Sequence, residues 1–164
     1  LGDVYKRQVS DMEGVAVFNL YELSQEIVFN IDEWSKIISD ASAVIYQFPF
    51  YWMSAPSLLK KWQDEVFTFL SKTPAVAGKP LTVVTTTGSE YEAYRSGGRN
   101  RFTTDELLRP YQVNAIHSGM SWQTPIVVYG MGTADAGKNI AEGANLYKQR
   151  VEMLIGNSNA GNNW

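Results

Sequence analysis

Cysteine is absent from this 164-residue chain, and histidine occurs once, at His117. The first absence excludes a disulfide framework and thiolate metal sites; the second excludes a histidine-rich centre, so metal-independent chemistry is favoured. An excess of one charge is also missing. Fourteen Lys and Arg against 17 Asp and Glu leave a net charge of -3, and no basic stripe marks a nucleic-acid interface. No apolar run approaches the ~18 residues needed to span a bilayer, and no charged-then-apolar leader is present, which makes the cytoplasm the default location. What remains is ordinary for one globular domain, with 45% hydrophobic and 19% charged residues. The departure from average is aromatic: Trp 5, Tyr 9 and Phe 7.

Leu1–Gln8 (LGDVYKRQ) does not join naturally to the residues after it and reads as an adapter-derived stretch, so it is set aside and the domain is placed at residues 9–156. Val15–Asn19 is a short β-branched run behind Gly14 and is expected to be a strand. Asn30 or Asp32 caps a helix with Trp34, Ile37, Ile38 and Ala41 at helical spacing. Ala43–Phe48 is a continuous apolar run, the pattern of a strand covered on both faces, ended by Pro49. Ser54-Ala55-Pro56 then opens a helix with Leu58, Leu59, Trp62, Val66 and Phe69 as its apolar stripe, while Lys60 and Lys61 fall on its solvated face. Leu81–Thr87 is the next strand, ended by Gly88, and the Gly-rich stretch Ser89–Asn100 is loop. Thr103 or Thr104 caps a helix from Asp105 to about Gly119, where His117 complements the helix dipole. Thr124–Tyr129 is the last strand, Ala136 to about Leu154 the closing helix, and residues 157–164 a flexible tail. Strands alternating with helices predict an α/β fold: a parallel sheet with helices on both faces, whose ligands bind at the carboxyl ends of the strands.

Two loops lie at those ends. Phe50-Tyr51-Trp52-Met53 puts consecutive bulky residues on a turn, where a flat apolar ligand would cover them, although the same residues equally read as a plug between strand and helix. Thr85-Thr86-Thr87-Gly88-Ser89 offers hydroxyls and backbone N–H groups suited to carbonyls and ring nitrogens; alone it reads as an ordinary turn.

Together, QFPFYWMSAPSLLKKWQDEVF, TTTGSEYEAY, FTTDELLRPYQ and Gly119-Met120-Ser121-Trp122-Gln123-Thr124-Pro125 resemble the flavodoxin-like NAD(P)H:quinone oxidoreductases, including the short bacterial members associated with potassium efflux and general stress. The resemblance runs from about Gly14 to Gly156. It implies a three-layer α/β/α fold with sheet order 2-1-3-4-5, in which the first strand would be missing from this chain. It further implies FMN as cofactor, with FAD left open, NAD(P)H as substrate, a quinone or similar acceptor, and a homodimer. Pro49, Phe50, Tyr51, Trp52 and Met53 would line the isoalloxazine, with the main chain near Trp52 and Met53 facing N5 and O4. Thr86, Thr87, Gly88 and Ser89 would hold the pyrimidine end, where donors stabilise the charge of the reduced ring. Ser89 stands where the family usually has a second glycine. Tyr94 matches an aromatic at the nicotinamide and quinone position and is the catalytic candidate, while Arg99 and Asn100 occupy the stretch where animal enzymes carry a histidine.

Two other roles compete with the enzyme: a redox-sensing regulatory subunit peripherally associated with a membrane transporter, and an electron-transfer flavodoxin, which a net charge of only -3 disfavours. In the family the loop after the first strand anchors the flavin phosphate, and nothing in LGDVYKRQ replaces it. The 164-residue chain is therefore expected to melt early and to bind FMN weakly or not at all, while the product of the complete gene binds it tightly. Flavin titration by fluorescence quenching, with thermal melting, checks this. Tight FMN binding by the shorter chain would mean that another segment holds the phosphate.

Overall fold

The structure, a computed structural model, describes residues 9–23 and 28–159. Both the set-aside segment Leu1–Gln8 and tail residues 160–164 lie outside them. The described elements are α1 (Leu20–Leu23), α2 (Ile31–Asp40), β1 (Val44–Pro49), α3 (Ser57–Trp62) continuing through a π-helical turn (Gln63–Phe67) into α4 (Thr68–Leu70), β2 (Pro80–Thr86), α5 (Thr104–Leu107), α6 (Arg109–His117), β3 (Ser121–Trp122), β4 (Ile126–Val128) and α7 (Ala136–Asn159).

β2 is the axis of the sheet. It pairs in parallel with β1 on one edge and with both β3 and β4 on the other, all seven of its residues buried. Its side chains alternate between two cores. Leu81 and Val83 join Tyr46, Phe48, Trp34, Trp62, Val66, Leu108 and Tyr111 beneath α2, α3 and α6. Val84 joins Ile126, Val128, Ala144, Tyr147 and Val151 beneath α7. Helices thus cover both faces of a parallel sheet, as the alternation of elements predicts. The three sheet positions match the 3-4-5 run of the order 2-1-3-4-5.

Several expectations are corrected. Val15–Asn19 forms no strand, because no described strand pairs with it; Val15 and Val17 pack against the α7 core, and Phe18 sits edge-on to Trp34 at 5.4 Å. The expected strand Thr124–Tyr129 is shortened to β4, and the sheet still has four strands because Ser121–Trp122, expected only as part of the lead into it, pairs with β2 as β3. The two strands are separated by Gln123, Thr124 and Pro125, where proline has no N–H for the ladder and the Thr124 carbonyl instead accepts from the Thr82 hydroxyl at 3.1 Å. β1 is fully buried at Tyr46 and Phe48 but only half-covered on its other face. The loop Ser89–Asn100 contains a 3₁₀ turn, Tyr91–Tyr94. The helix expected from Asp105 to about Gly119 breaks at Leu108, ahead of Pro110, which cannot donate to Glu106. The closing helix runs on to Asn159.

The caps follow the sequence more closely. The Asn30 side chain accepts from the N–H groups of Asp32 and Glu33, and Thr103 forms a reciprocal capping box with Glu106. The Thr103 backbone and hydroxyl donors hold the Glu106 carboxyl below its ordinary value, so this contribution is present at neutral pH and fades as acid protonates the group. His117, exposed, ends α6 as expected. Lys60 and Lys61 pair with Asp64 and Glu65 along the solvated face.

The π-helical turn resets the apolar stripe. One extra residue per turn rotates the rest of the helix by roughly 100°, so Phe67 and Leu70 enter the core and Phe69, expected there, is left 59% exposed. Phe67→Ala is predicted to cost about 3–5 kcal/mol and Phe69→Ala less than about 0.5 kcal/mol in urea unfolding. Equal costs would show that the stripe continues unshifted.

Candidate functional site

Because β2 stands between β1 and β4, three strand ends lie side by side at the carboxyl edge: Pro49 is level with Thr86, and Thr86 with Val128. The first loop leaves β1 through Phe50, whose N–H donates to the Thr86 carbonyl at 2.9 Å. Next comes a tight hairpin. Tyr51 and Ser54 exchange N–H···O=C bonds of 2.8 and 3.0 Å, with Trp52 (φ 47°) and Met53 (φ 63°) as its central residues. Two successive left-handed residues define a type I′ turn, a geometry that ordinarily selects Asn-Gly. Holding Trp and Met there costs about 1–3 kcal/mol each, strain that the surrounding contacts must offset.

The turn presents rather than buries its side chains. Trp52 is 97% exposed, and Tyr51 and Met53 are exposed as well. The N–H groups of Trp52 and Met53 donate to no described residue, since both reciprocal bonds are made by Tyr51 and Ser54. The plug reading therefore fits Phe50 alone, which packs against the core. Behind the turn, the Tyr111 hydroxyl accepts from the Ala55 N–H at 3.1 Å and lies 3.3 Å from the Ser54 hydroxyl, tying the loop to α6.

The second loop continues from β2. Thr86 and Thr87 are buried, and the Thr87 hydroxyl is engaged by the Ser89 carbonyl at 2.8 Å, so what this loop offers outward is backbone. The N–H groups of Gly88 and Ser89 donate to no described residue, and a side chain added at Gly88 would meet nothing within 4 Å. A third loop, from Gly130 to Gly132, clamps the second: Met131 donates to the Thr87 carbonyl at 2.9 Å and Gly132 to the Gly88 carbonyl at 2.8 Å. A Cβ at Gly132 would lie 3.1 Å from the Gly88 oxygen, tighter than ordinary contact, so glycine suits this close approach of two backbones. Arg99, in the stretch where animal enzymes of the resembled family carry a histidine, donates to the Ser89 hydroxyl.

Tyr94 is only 5% exposed, beneath a ladder of rings. Phe50 lies 6.1 Å from Tyr94, Tyr94 5.9 Å from Tyr129, and Tyr129 5.3 Å from Tyr91. The Tyr129 hydroxyl sits 2.6 Å from that of Thr104, and burial pushes its phenol above the ordinary value. The sequence-selected positions thus fall on two adjoining strand-end loops, with Tyr94 joined to the first of them through Phe50. Tyr111, Tyr129 and the Gly130–Gly132 loop were missed. Tyr129 and Gly130-Met131-Gly132 carry a signal, an aromatic strand end followed by paired glycines; Tyr111 lies in the FTTDELLRPYQ segment, but only tertiary packing brings its hydroxyl to Ala55.

A family model described as "Flavodoxin-like fold" matches residues 1–151, a span that includes Leu1–Gln8. The chain is 33% identical to general stress protein 14 of Bacillus subtilis (91% of this chain, 87% of that protein). It is 35% identical to the glutathione-regulated potassium-efflux system ancillary protein KefG of Serratia proteamaculans (77% and 71%) and 32% identical to the uncharacterized NAD(P)H oxidoreductase YdeQ of Bacillus subtilis (92% and 78%). The crystal structure of general stress protein 14 of Treponema denticola in complex with FMN superposes with a TM-score of 0.84 at 25% identity, covering 93% of this chain and 89% of that one.

Strain and anchoring in the turn separate by mutation. Met53→Gly removes a left-handed side chain and is predicted to stabilise the chain by about 1 kcal/mol once the flexibility of glycine is deducted. Tyr111→Phe leaves the Ala55 N–H without its acceptor and costs about 1–2 kcal/mol. Urea denaturation reads both, and a loss of stability in Met53→Gly would contradict the strained-turn geometry.

Proposed function

Because the chain belongs to the flavodoxin-like fold family, we propose that it is a flavin-dependent NAD(P)H oxidoreductase that uses FMN and passes electrons to a quinone or similar small acceptor. The observation that carries this reading is the left-handed Tyr51–Ser54 turn beside the Thr86–Ser89 loop. Two sets of unpartnered backbone donors and an almost fully exposed tryptophan stand at neighbouring strand ends, where an α/β sheet binds its ligands. The FMN-bound relative and the oxidoreductase name of YdeQ support the same reading.

The residues fit a planar, polar-edged ring. Trp52 and Met53 supply N–H groups for one edge and Tyr51 and Trp52 aromatic surface for its face; Gly88 leaves open space, and the Gly88 and Ser89 N–H groups can stabilise negative charge at the pyrimidine end. A bound flavin supplies the hydride and electron chemistry. The protein orients the ring, excludes water with its aromatic loop, and holds Phe50 and Tyr94 as the border of a position that donor and acceptor occupy in turn. Pairing of two copies over this aromatic edge is part of the same proposal, as is a cytoplasmic location; among the described residues no helix is long and apolar enough to cross a membrane. The KefG relative supports a second role, as an ancillary subunit of a potassium-efflux transporter. Co-purification with such a transporter, without quinone turnover, would favour it.

The flavin-loaded protein is expected to be yellow and to show ping-pong kinetics with NAD(P)H and a quinone; a ternary-complex pattern would sink the shared position. Trp52→Ala should weaken flavin binding by on the order of 1 kcal/mol beyond the area lost, whereas Tyr94→Phe should change turnover more than flavin affinity. Flavin titration alongside steady-state kinetics distinguishes the two.

A further inference from the structure

The aromatic ladder does not stop at the proposed ring site. It ends in an open groove of about 510 Å³ formed where the 3₁₀ turn faces α5 and β4. Buried Tyr94 and half-buried Tyr129 form the floor, and Tyr91, half exposed, forms a wall. The Arg95 guanidinium lies 5.2 Å over the Tyr91 ring and makes no ion pair with a described residue. Across the groove, the carboxylate of Asp105 is exposed beside Thr104, whose hydroxyl fixes the Tyr129 ring.

These groups make a composite recognition surface: flat rings for a base, an unpaired planar cation for a phosphate, and a carboxylate for hydroxyl or amino donors. The groove is also continuous with the proposed ring site, since Phe50, just before the strained turn, reaches Tyr91 through Tyr94 and Tyr129 in ring steps of 6.1, 5.9 and 5.3 Å. A ligand engaging both regions must be aromatic at each end and anionic between. We propose that the groove binds the adenosine diphosphate end of the nicotinamide donor, with the base against Tyr91 and Tyr129, the diphosphate at Arg95 and a ribose hydroxyl or base amino group at Asp105. This rests on the NAD(P)H reading above and adds to it a place for the half of the dinucleotide that does no chemistry. Binding there raises affinity for the donor while leaving the reacting ring untouched.

ADP-ribose, which lacks nicotinamide, is the probe. Titrated into the ¹⁵N-labelled chain, it should shift the amides of Tyr91–Ser96 and Thr103–Asp105 and leave those of Tyr51–Ser54 in place. Arg95→Gln and Tyr91→Ala should each weaken it at least fivefold, Arg95→Lys less, and Trp52→Ala not at all; the amide spectra of the variants verify that each is folded. In the flavin-loaded protein, Arg95→Gln should raise KM for NAD(P)H at least fivefold with kcat unchanged, and should not alter KM for reduced nicotinamide riboside, which has neither phosphate nor adenosine. Shifts confined to the Tyr51–Ser54 turn, no ADP-ribose binding at all, or equal loss with both donors would overturn the assignment. A flavin-loaded protein that oxidises neither donor while ADP-ribose still binds the groove would instead defeat the oxidoreductase reading alone.

Discussion

The structure depends on the burial of β2. A strand with neighbours on both edges and helices over both faces must satisfy every backbone group in the ladder and every side chain by packing, and Pro80–Thr86 does so with Leu81, Val83 and Val84 divided between two cores. Its register then sets what the two flanking strands can do. Because β1 and β4 are each aligned to β2 residue by residue, their carboxyl ends stop at the same level, and the three loops beyond them are forced into contact. The site is a consequence of that alignment rather than of any one motif.

Within the site, polarity comes from the main chain. The Thr87 hydroxyl is engaged internally and the Ser89 hydroxyl by Arg99, while the N–H groups of Trp52, Met53, Gly88 and Ser89 donate to no described residue. Fixed backbone dipoles of this kind need no reorganisation when charge develops on a ligand. The cost is a strained turn, opposed by the Tyr111 hydroxyl on one side and by the Phe50–Thr86 hydrogen bond on the other. That same Phe50 begins the ring ladder, so the segment that orients the proposed flavin is mechanically joined to the groove beyond Tyr94.

The aromatic excess of the chain divides accordingly. Trp34, Trp62, Phe67, Tyr46 and Tyr111 pack edge to face or stacked within one core, whereas Tyr51, Trp52 and Tyr91 stand at the carboxyl edge. Composition alone assigns all of them to hydrophobic burial; only the strand ends distinguish the ones held outward.

By itself the sequence determined the alternation of strands and helices, the caps at Asn30 and Thr103, the parallel sheet and the two loops of the candidate site, because each of these is written in local periodicity, turn chemistry or a contiguous motif. Tertiary structure decided the rest. Val15–Asn19 has strand composition but no described strand beside it to complete a ladder. Phe69 has the spacing of a core residue but comes after a π-helical turn whose extra residue no local pattern announces. Thr124–Tyr129 shrinks behind Pro125 to β4, Ser121–Trp122 becomes a strand only because β2 lies beside it, and the Tyr111 hydroxyl reaches the Ala55 N–H from 56 residues further along the chain. Local propensity acts over a few neighbours along the chain, whereas hydrogen-bond partners and packed surfaces are supplied by distant segments, and where the two disagree the burial of the distant contact prevails.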